Sequence, residues 1–236
     1  MADTEGARIA EYVAPTEALW AGLEPPYRTI VADPPWTYEQ GGPMTSPVGR
    51  DRPFKRGPKT PPYPMMSVEA IAVMPVAELA DKDAHLYLWT TSRYLKDAHA
   101  IAERWGFRYS QTLTWCKKPM GLGPGGAYCN TTEFVLFCRK GKLAPLARSN
   151  TSWWLWPRRA HSVKPPEFYD VVEGISPGPY LDLFARAKRL GWDGWGDEYG
   201  GRSEEAYWRR ITQAADARNA ALIDGSASEE FRDGLR

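Results

Sequence analysis

Short runs of apolar residues alternate along this chain with stretches in which apolar positions recur every three or four residues, the pattern of buried strands separated by helices. The run Thr29–Ala32 predicts a strand, and Asp33-Pro34-Pro35 ends it, because tandem prolines cannot continue a central ladder. Residues 37–62 hold glycines, prolines and charges without periodicity and predict a long loop, a kind that is usually functional or disordered. Ser67 suits the N-cap of a short helix and Pro75 the first turn of a second. His85–Trp89 reads as a buried strand. From Arg93 to Trp105 the residues Leu95, Ala98, Ala102 and Trp105 keep helical spacing, with Ser92 as a cap and Gly106 placed to stop the helix. Strands follow at Arg108–Trp115 and Glu133–Cys138, separated by a Gly-rich loop over Lys118–Thr131, and Ser152–Trp156 predicts an aromatic strand or ribbon. A helix after Lys164-Pro165-Pro166 should stop near Gly174. Leu181–Ala185 and Trp192–Trp195 are the last strands. Residues 203–223 place Trp208, Ile211, Ala215 and Leu222 on one helical face, ahead of a polar tail.

Strands and helices alternating at these lengths predict an α/β fold with a doubly wound, mostly parallel sheet. The expected organisation is an N-terminal extension over residues 1–26, one domain over 27–200, and a C-terminal helix and tail over 201–236. No internal repeat is visible. Hydrophobic residues make up 43% and charged residues 25% of 236, which supports a packed core and argues against disorder. No stretch has the roughly 18 apolar residues of a membrane span, and the start has neither a basic nor an apolar targeting region, so the expected protein is soluble and cytoplasmic. Three cysteines, Cys116, Cys129 and Cys138, are odd in number and lack a C-x-x-C pair; they read as buried small hydrophobes.

Charge changes this picture by its placement. Residues 1–26 carry one base against five acids, whereas residues 37–62 carry Arg50, Arg52, Lys55, Arg56 and Lys59 against Glu39 and Asp51. Residues 117–159 carry eight bases, beginning with Lys117 and Lys118, against Glu133 alone. These segments are either solvated faces or a polyanion-binding surface, and the second reading makes nucleic acid the expected partner.

Asp33-Pro34-Pro35-Trp36 is the most informative segment, because ligand sites in open α/β sheets lie outside the carboxyl ends of strands. An exocyclic amino group on a base is a poor nucleophile, since its lone pair is delocalised into the ring. Hydrogen-bond acceptors make that nitrogen more tetrahedral and free the lone pair. The Asp33 carboxylate and the Pro34 carbonyl could each accept one N–H, with proline's fixed φ holding that carbonyl in place, while Trp36 offers a face for an extruded base.

In these residues the chain resembles the D-P-P-W class of adenine N6-methyltransferases, the family that includes the catalytic subunit methylating messenger RNA and related bacterial and phage enzymes. The similarity runs from about Tyr27 to Tyr199. It takes in Pro62-Tyr63-Pro64-Met65-Met66-Ser67, Leu86-Tyr87-Leu88-Trp89, Thr114-Trp115-Cys116-Lys117 and Glu133-Phe134-Val135-Leu136. It continues through His161-Ser162-Val163-Lys164-Pro165, Ser176-Pro177-Gly178 and Leu183-Phe184-Ala185-Arg186 to the Trp192–Glu198 stretch. The catalytic tetrapeptide precedes the cofactor strand, the permuted order of that family.

The resemblance implies a Rossmann-like methyltransferase that uses S-adenosyl-L-methionine. It implies that Asp33 contacts both the target amino group and the methionine end of the cofactor, that Trp36 and Tyr63 hold the adenine, and that Pro34 and Pro35 complete the catalytic segment. Lys164 matches the lysine near the cofactor carboxylate, and Ala32, Phe184 and Arg186 fall on the cofactor-binding segments. Asp197 and Glu198 stand where the family has Asn-Gln near the ribose. Three departures mark the limits: Ala185 replaces a glycine, Lys188-Arg189 replace a His-Asn pair used on the ribose, and the loop after Trp36 is longer than in the messenger-RNA enzyme.

DNA is the expected substrate, with RNA as the alternative, because a small chain suits a stand-alone modification enzyme. A homo- or hetero-dimer is compatible with the sequence. Two rival readings are an inactive nucleic-acid-binding partner subunit and methylation of cytosine N4, which more often uses Ser where Asp33 stands. His85, His99 and His161 lack metal-ligand spacing and read as structural or surface residues, and no metal is expected. Gly121–Gly126 lacks the Lys and hydroxyl of a phosphate-cradling loop and reads as a substrate loop. Trp153-Trp154-Leu155-Trp156 is either core or a stacking platform.

Overall fold

The computed structural model describes residues 19–20, 22–37, 65–118, 128–158, 163–196 and 199. The strands are β1 (Tyr27–Ala32), β2 (Ala80–Thr90), β3 (Arg108–Lys118), β4 (Thr132–Lys140), β5 (Trp153–Pro157), β6 (Tyr180–Leu183) and β7 (Trp192–Trp195). The helices are α1 (Val68–Ala72), α2 (Leu95–Arg104) and α3 (Glu167–Ile175), with 3₁₀ turns at Val76–Glu78 and Ser92–Tyr94. The seven strands form one sheet in the order β5-β3-β4-β2-β1-β6-β7. β4 runs antiparallel to β2 and β3, and every other neighbouring pair is parallel. This is the Rossmann-like, mostly parallel, doubly wound sheet.

β1 is flanked by β2 and β6 on its two edges and covered by a hydrophobic cluster on each face, so its residues Ile30, Val31 and Ala32 are fully buried. The chain leaves β1 for β2 on one side and returns to β6 on the other. The carboxyl end of β1 is therefore the topological switch point of the sheet, where ligands bind in folds of this kind.

Alternate side chains feed two cores. Ile30, Ala32, Leu86, Leu88, Leu181 and Leu183 pack with α1, α2 and Leu19-Trp20 on one face. Val31, Tyr87, Trp89, Trp115 and Val135 pack with Phe168 and Val172 of α3 on the other. Leu19 and Trp20 belong to the expected N-terminal extension, yet both are core residues; the Trp195 Nε1–H donates to Leu19 O at 2.8 Å.

Local signals and structure agree at Ser67, whose Oγ accepts from Ala70 N at 3.1 Å and caps α1. Gly106, at φ +81, ends the α2 region in the left-handed conformation that suits glycine. Ser92 does not cap α2. Residues 92–94 form a 3₁₀ turn instead, and Tyr94 precedes the helix, its buried ring held by stacking on Trp36. The predicted strand Leu181–Ala185 stops at Leu183, because Phe184 turns to φ +67 and leaves the extended region. Cys138 is buried, and burial pushes its thiol up to about 12, but Cys116 is half-buried and Cys129 is exposed in the irregular segment before β4. The expected buried reading therefore fails for Cys129. The predicted helix over 203–223 lies outside the described residues.

Candidate active site

Where β1 ends, the Asp33 N–H still donates to Leu183 O at 3.3 Å, and Pro34 and Pro35 then lead the chain off the sheet. The tetrapeptide is fixed from several sides. Pro34 O accepts from Trp36 N at 2.8 Å, Pro35 O accepts from Met66 N at 2.8 Å, and the Trp36 indole N–H donates to Trp89 O at 3.1 Å. Trp36 is only 4% exposed and stacks on Tyr94, with ring centroids 5.1 Å apart and planes 15° from parallel. The Tyr94 hydroxyl in turn donates to Thr37 O. The sequence alone suggests that Trp36 offers a face to a base; in the structure the ring is buried, with Tyr94 stacked on it. Pro34 O retains a second lone pair beyond the one used by Trp36 N.

The Asp33 carboxylate accepts from Lys164 Nζ at 2.6 Å, and the same ammonium lies 3.6 Å from Glu133 Oε2. Glu133 also accepts from Lys117. Asp33, Lys164, Glu133 and Lys117 thus form a chain of alternating charge. Aromatic faces underlie its cations: Lys164 Nζ is 5.0 Å from the Trp89 ring centroid, and Lys117 Nζ is 5.1 Å from that of Trp115.

Burial raises the Asp33 carboxyl above its ordinary range, opposed first by the charge of Lys164, then by its hydrogen bond, and more weakly by Arg186. Burial works against ionised Glu133 too, but Lys164 and Lys117 outweigh it and hold that carboxyl below its ordinary range. A second half-buried acid stands nearby. Asp182 pairs with Val31 across β6 and β1, accepts from the Tyr169 hydroxyl at 2.8 Å, and is pushed up to about 7 by burial, with Asp33 adding to the rise. Tyr169 is pushed well above its usual value, mainly by burial.

The turn after β6 follows the strand that pairs with β1 and so lies at the same edge of the sheet. Phe184 at φ +67 is a strained conformation for a bulky residue, of the kind that persists where surroundings over-determine it. Its ring lies 5.8 Å from Trp195, and Ala185 N donates to Trp195 O at 3.0 Å. A Cβ on Gly196 would overlap the Ala185 backbone, so β7's end and the 184–185 turn pack backbone to backbone.

Charges decide whether these residues fit the expected cofactor. An α-amino acid group is a zwitterion, and Asp33 with Lys164 presents one charge of each sign at the carboxyl edge of the sheet, each satisfying the other until such a group separates them. The pair is accessible enough to exchange partners, with side-chain exposures of 25% and 13%. The fit is good for the methionine end. It is weaker for the ribose. Lys188 is exposed, its Nζ 6.0 Å from the Tyr199 ring centroid, while Arg189 bonds Asp170 at 2.8 Å and Glu173 at 2.9 Å and so ties this loop to α3.

Among the predicted nucleic-acid contacts, Lys117 is committed to Glu133, and Lys118 is exposed at the end of β3. Arg50, Arg52, Lys55, Arg56, Lys59, Tyr63, Asp197 and Glu198 lie outside the described residues. His85 is buried, between Ser176 Oγ at 2.8 Å and Leu143 O at 3.2 Å, and burial lowers it to about 4, so it is a structural residue. Sequence reasoning misses the roles of Glu133, Asp182 and Tyr169. Glu133 does carry a signal, as the one acid among the eight bases of residues 117–159.

A family model described as MT-A70 matches residues 27–198, the span that contains every element of this site. The chain belongs to the MT-A70 family. Among relatives, it is 34% identical over 186 residues to a Type II methyltransferase, M.MunI, of Mycoplasma sp, covering 73% of this chain and 77% of that protein. It is 26% identical over 184 residues to a putative N(6)-adenosine-methyltransferase MT-A70-like protein of Medicago truncatula, covering 74% of this chain but 27% of the relative. An N(6)-adenosine-methyltransferase MT-A70-like protein of Drosophila melanogaster is 26% identical over 172 residues, covering 70% of this chain and 25% of the relative. Within this MT-A70 chain the order of elements puts Asp33, Lys164 and the Phe184 turn at one edge of the sheet.

Proposed function

We propose that this MT-A70 methyltransferase transfers a methyl group from S-adenosyl-L-methionine to N6 of adenine in DNA. The observation that carries the proposal is the Asp33 carboxylate, placed at the switch point of the sheet and held by Lys164 at 2.6 Å. When bound, the cofactor supplies an electrophilic methyl group on a sulfonium. The rest falls to the chain's own residues. Asp33 and Pro34 O accept the two N6 hydrogens, which localises the nitrogen lone pair, and the Trp36–Tyr94 stack keeps both acceptors in register. A methyl group transferred to that nitrogen would leave it with one proton in excess, which water could accept. Lys164 opposes the rise that burial gives the Asp33 carboxyl, and the two together would hold the amino-acid end of the cofactor.

Of the two nucleic acids, DNA is favoured because the relative at 34% identity, matched over 77% of its own length, is a Type II methyltransferase, whereas the relatives named for adenosine or RNA methylation are 26% identical and matched over 25–56% of theirs. The names of those relatives keep RNA adenosine as the second reading. The test is to incubate the protein with isotopically labelled cofactor and either DNA or RNA, digest, and identify the labelled nucleoside. Labelled N6-methyldeoxyadenosine is expected, and Asp33→Ala should reduce it on the order of 10²–10³-fold with the fold intact. Label confined to RNA overturns the choice of DNA. Label on cytosine overturns the choice of atom, and a fully active Asp33→Ala protein overturns the mechanism.

A further inference from the structure

The outermost strand carries aromatic surface that the proposed chemistry at Asp33 leaves unused. In β5, Trp154 and Trp156 pair across the ladder with Trp115 and Lys117 of β3, and Trp115 pairs with Glu133 of β4. Lateral neighbours in a sheet share a face, so both indoles lie on the face of the Asp33–Lys164–Glu133–Lys117 chain. The two rings are nearly parallel, 12° apart with centroids at 5.3 Å, and both are half-buried. Trp156 leans on the core through the cluster around Trp115, whose indole N–H donates to Trp156 O at 3.1 Å. Trp154 belongs to neither core cluster.

Edge strands ordinarily carry charge to discourage association, and a stacked tryptophan pair does the opposite. The surrounding charge points to a particular occupant. Arg158 follows this strand and is exposed, its backbone N–H anchored on Lys118 O at 2.8 Å. Glu133, the acid on the neighbouring strand, is already shared by two lysines. Aromatic faces beside an exposed cation match unstacked nucleotides, whose bases offer π-faces and whose backbone offers phosphates.

We propose that the Trp154–Trp156 pair is a stacking subsite for a nucleotide flanking the target adenine, with Arg158 on its phosphate. The proposal rests on the nucleic-acid reading above and adds a path to it, from Asp33 along the charged chain to the sheet edge. An adenine drawn out of a duplex leaves its neighbours partly unstacked, and a protein stack restores part of that loss.

The test uses the full chain, Trp154→Ala and Trp154→Phe. The probes are single-stranded and duplex oligodeoxynucleotides with 2-aminopurine or an abasic residue at each position beside the adenine. Binding is read by anisotropy and 2-aminopurine quenching, without turnover. Trp154→Ala should weaken oligonucleotide binding about 5- to 100-fold, Phe should recover most of it, and cofactor affinity should stay within about twofold. An abasic flank should cost the normal protein a similar factor and cost Trp154→Ala nothing further. Unchanged affinity of the Ala variant, or an abasic penalty equal in both proteins, overturns the subsite. Should Trp154→Ala fail to fold, the abasic series on the unaltered protein decides: equal binding with every flank abasic overturns the proposal. Protein that binds with these signatures but methylates neither DNA nor RNA overturns the proposed reaction and leaves the subsite standing.

Discussion

Replacing Lys164 by Met keeps the length of the side chain and removes the charge that two carboxylates share. In the native protein the ammonium is 2.6 Å from Asp33 and 3.6 Å from Glu133, and its side chain is 13% exposed. Removing one member of a fully buried pair costs about 3–5 kcal/mol, because the surviving charge is left uncompensated. Asp33 keeps 25% exposure and Glu133 keeps Lys117, so a cost of about 2–4 kcal/mol is expected at pH 8. The cost must also depend on pH. Burial already raises Asp33, and Lys164 opposes that rise; without it the folded carboxyl climbs further. Glu133 loses the larger of the charges that hold it down. A carboxyl whose folded value lies above its unfolded value gives stability below that range and loses it as pH rises, so the variant fares worst in alkali. Urea unfolding followed by tryptophan fluorescence at pH 5 and pH 8 should show a stability deficit at least about 1 kcal/mol larger at pH 8. A deficit under about 1 kcal/mol at pH 8, or one that does not change with pH, would refute the argument that Lys164 neutralises buried carboxylates.

Gly196→Ala should cost about 1–3 kcal/mol in thermal or urea unfolding and weaken cofactor binding in calorimetry, since its Cβ would overlap the Ala185 backbone beneath the strained Phe184 turn; unchanged affinity would remove that turn from the cofactor site. Asp182, raised from 3.8 to about 7, withdraws stability as pH rises from about 4 to 7, whereas His85, lowered from 6.5 to about 4, withdraws it as pH falls through the same interval. The two trends oppose each other, so Asp182→Asn should expose an acid-labile profile losing up to about 3 kcal/mol between pH 6.5 and 4, and His85→Gln the reverse slope; parallel profiles for both variants would contradict the assignment. Neutralising Arg50, Arg52, Lys55, Arg56 and Lys59 together should flatten the salt dependence of nucleic-acid binding, by about 0.7 to 0.9 in slope for each phosphate no longer neutralised, with cofactor affinity unchanged. An unaltered slope would move the track to the basic segment at residues 117–159.

Much of the fold is legible because its signals are local. β1 reads directly from the run Thr29–Ala32 and the two prolines that follow Asp33, and α3 reads from the Lys164-Pro165-Pro166 start and the following apolar spacing. The candidate catalytic carboxylate is legible for the same reason, as an acid at a strand end ahead of a rigid turn. What stays hidden depends on partners distant in sequence. Trp36 looks like a base platform until Tyr94, 58 positions later, is found stacked on it. Asp182 reads as an ordinary polar position in a strand, and only the Tyr169 hydroxyl and the nearby Asp33 make it an acid with an altered proton affinity.

Strand direction explains why Glu133 is the hardest member of the site to see. In a parallel sheet the functional edge collects the ends of strands, so candidates are sought where strands finish. β4 alone runs the other way among the described strands, which brings its beginning, Thr132 and Glu133, to the edge where β2 and β3 end. Glu133 therefore stands opposite Trp115 near the finish of β3, within reach of Lys117 on its own side and of Lys164 from the α3 approach. One reversed strand thus inserts a carboxylate between two lysines that would otherwise repel each other beside Asp33. The same carboxylate gives Lys164 a second anionic partner, 3.6 Å away, beside Asp33.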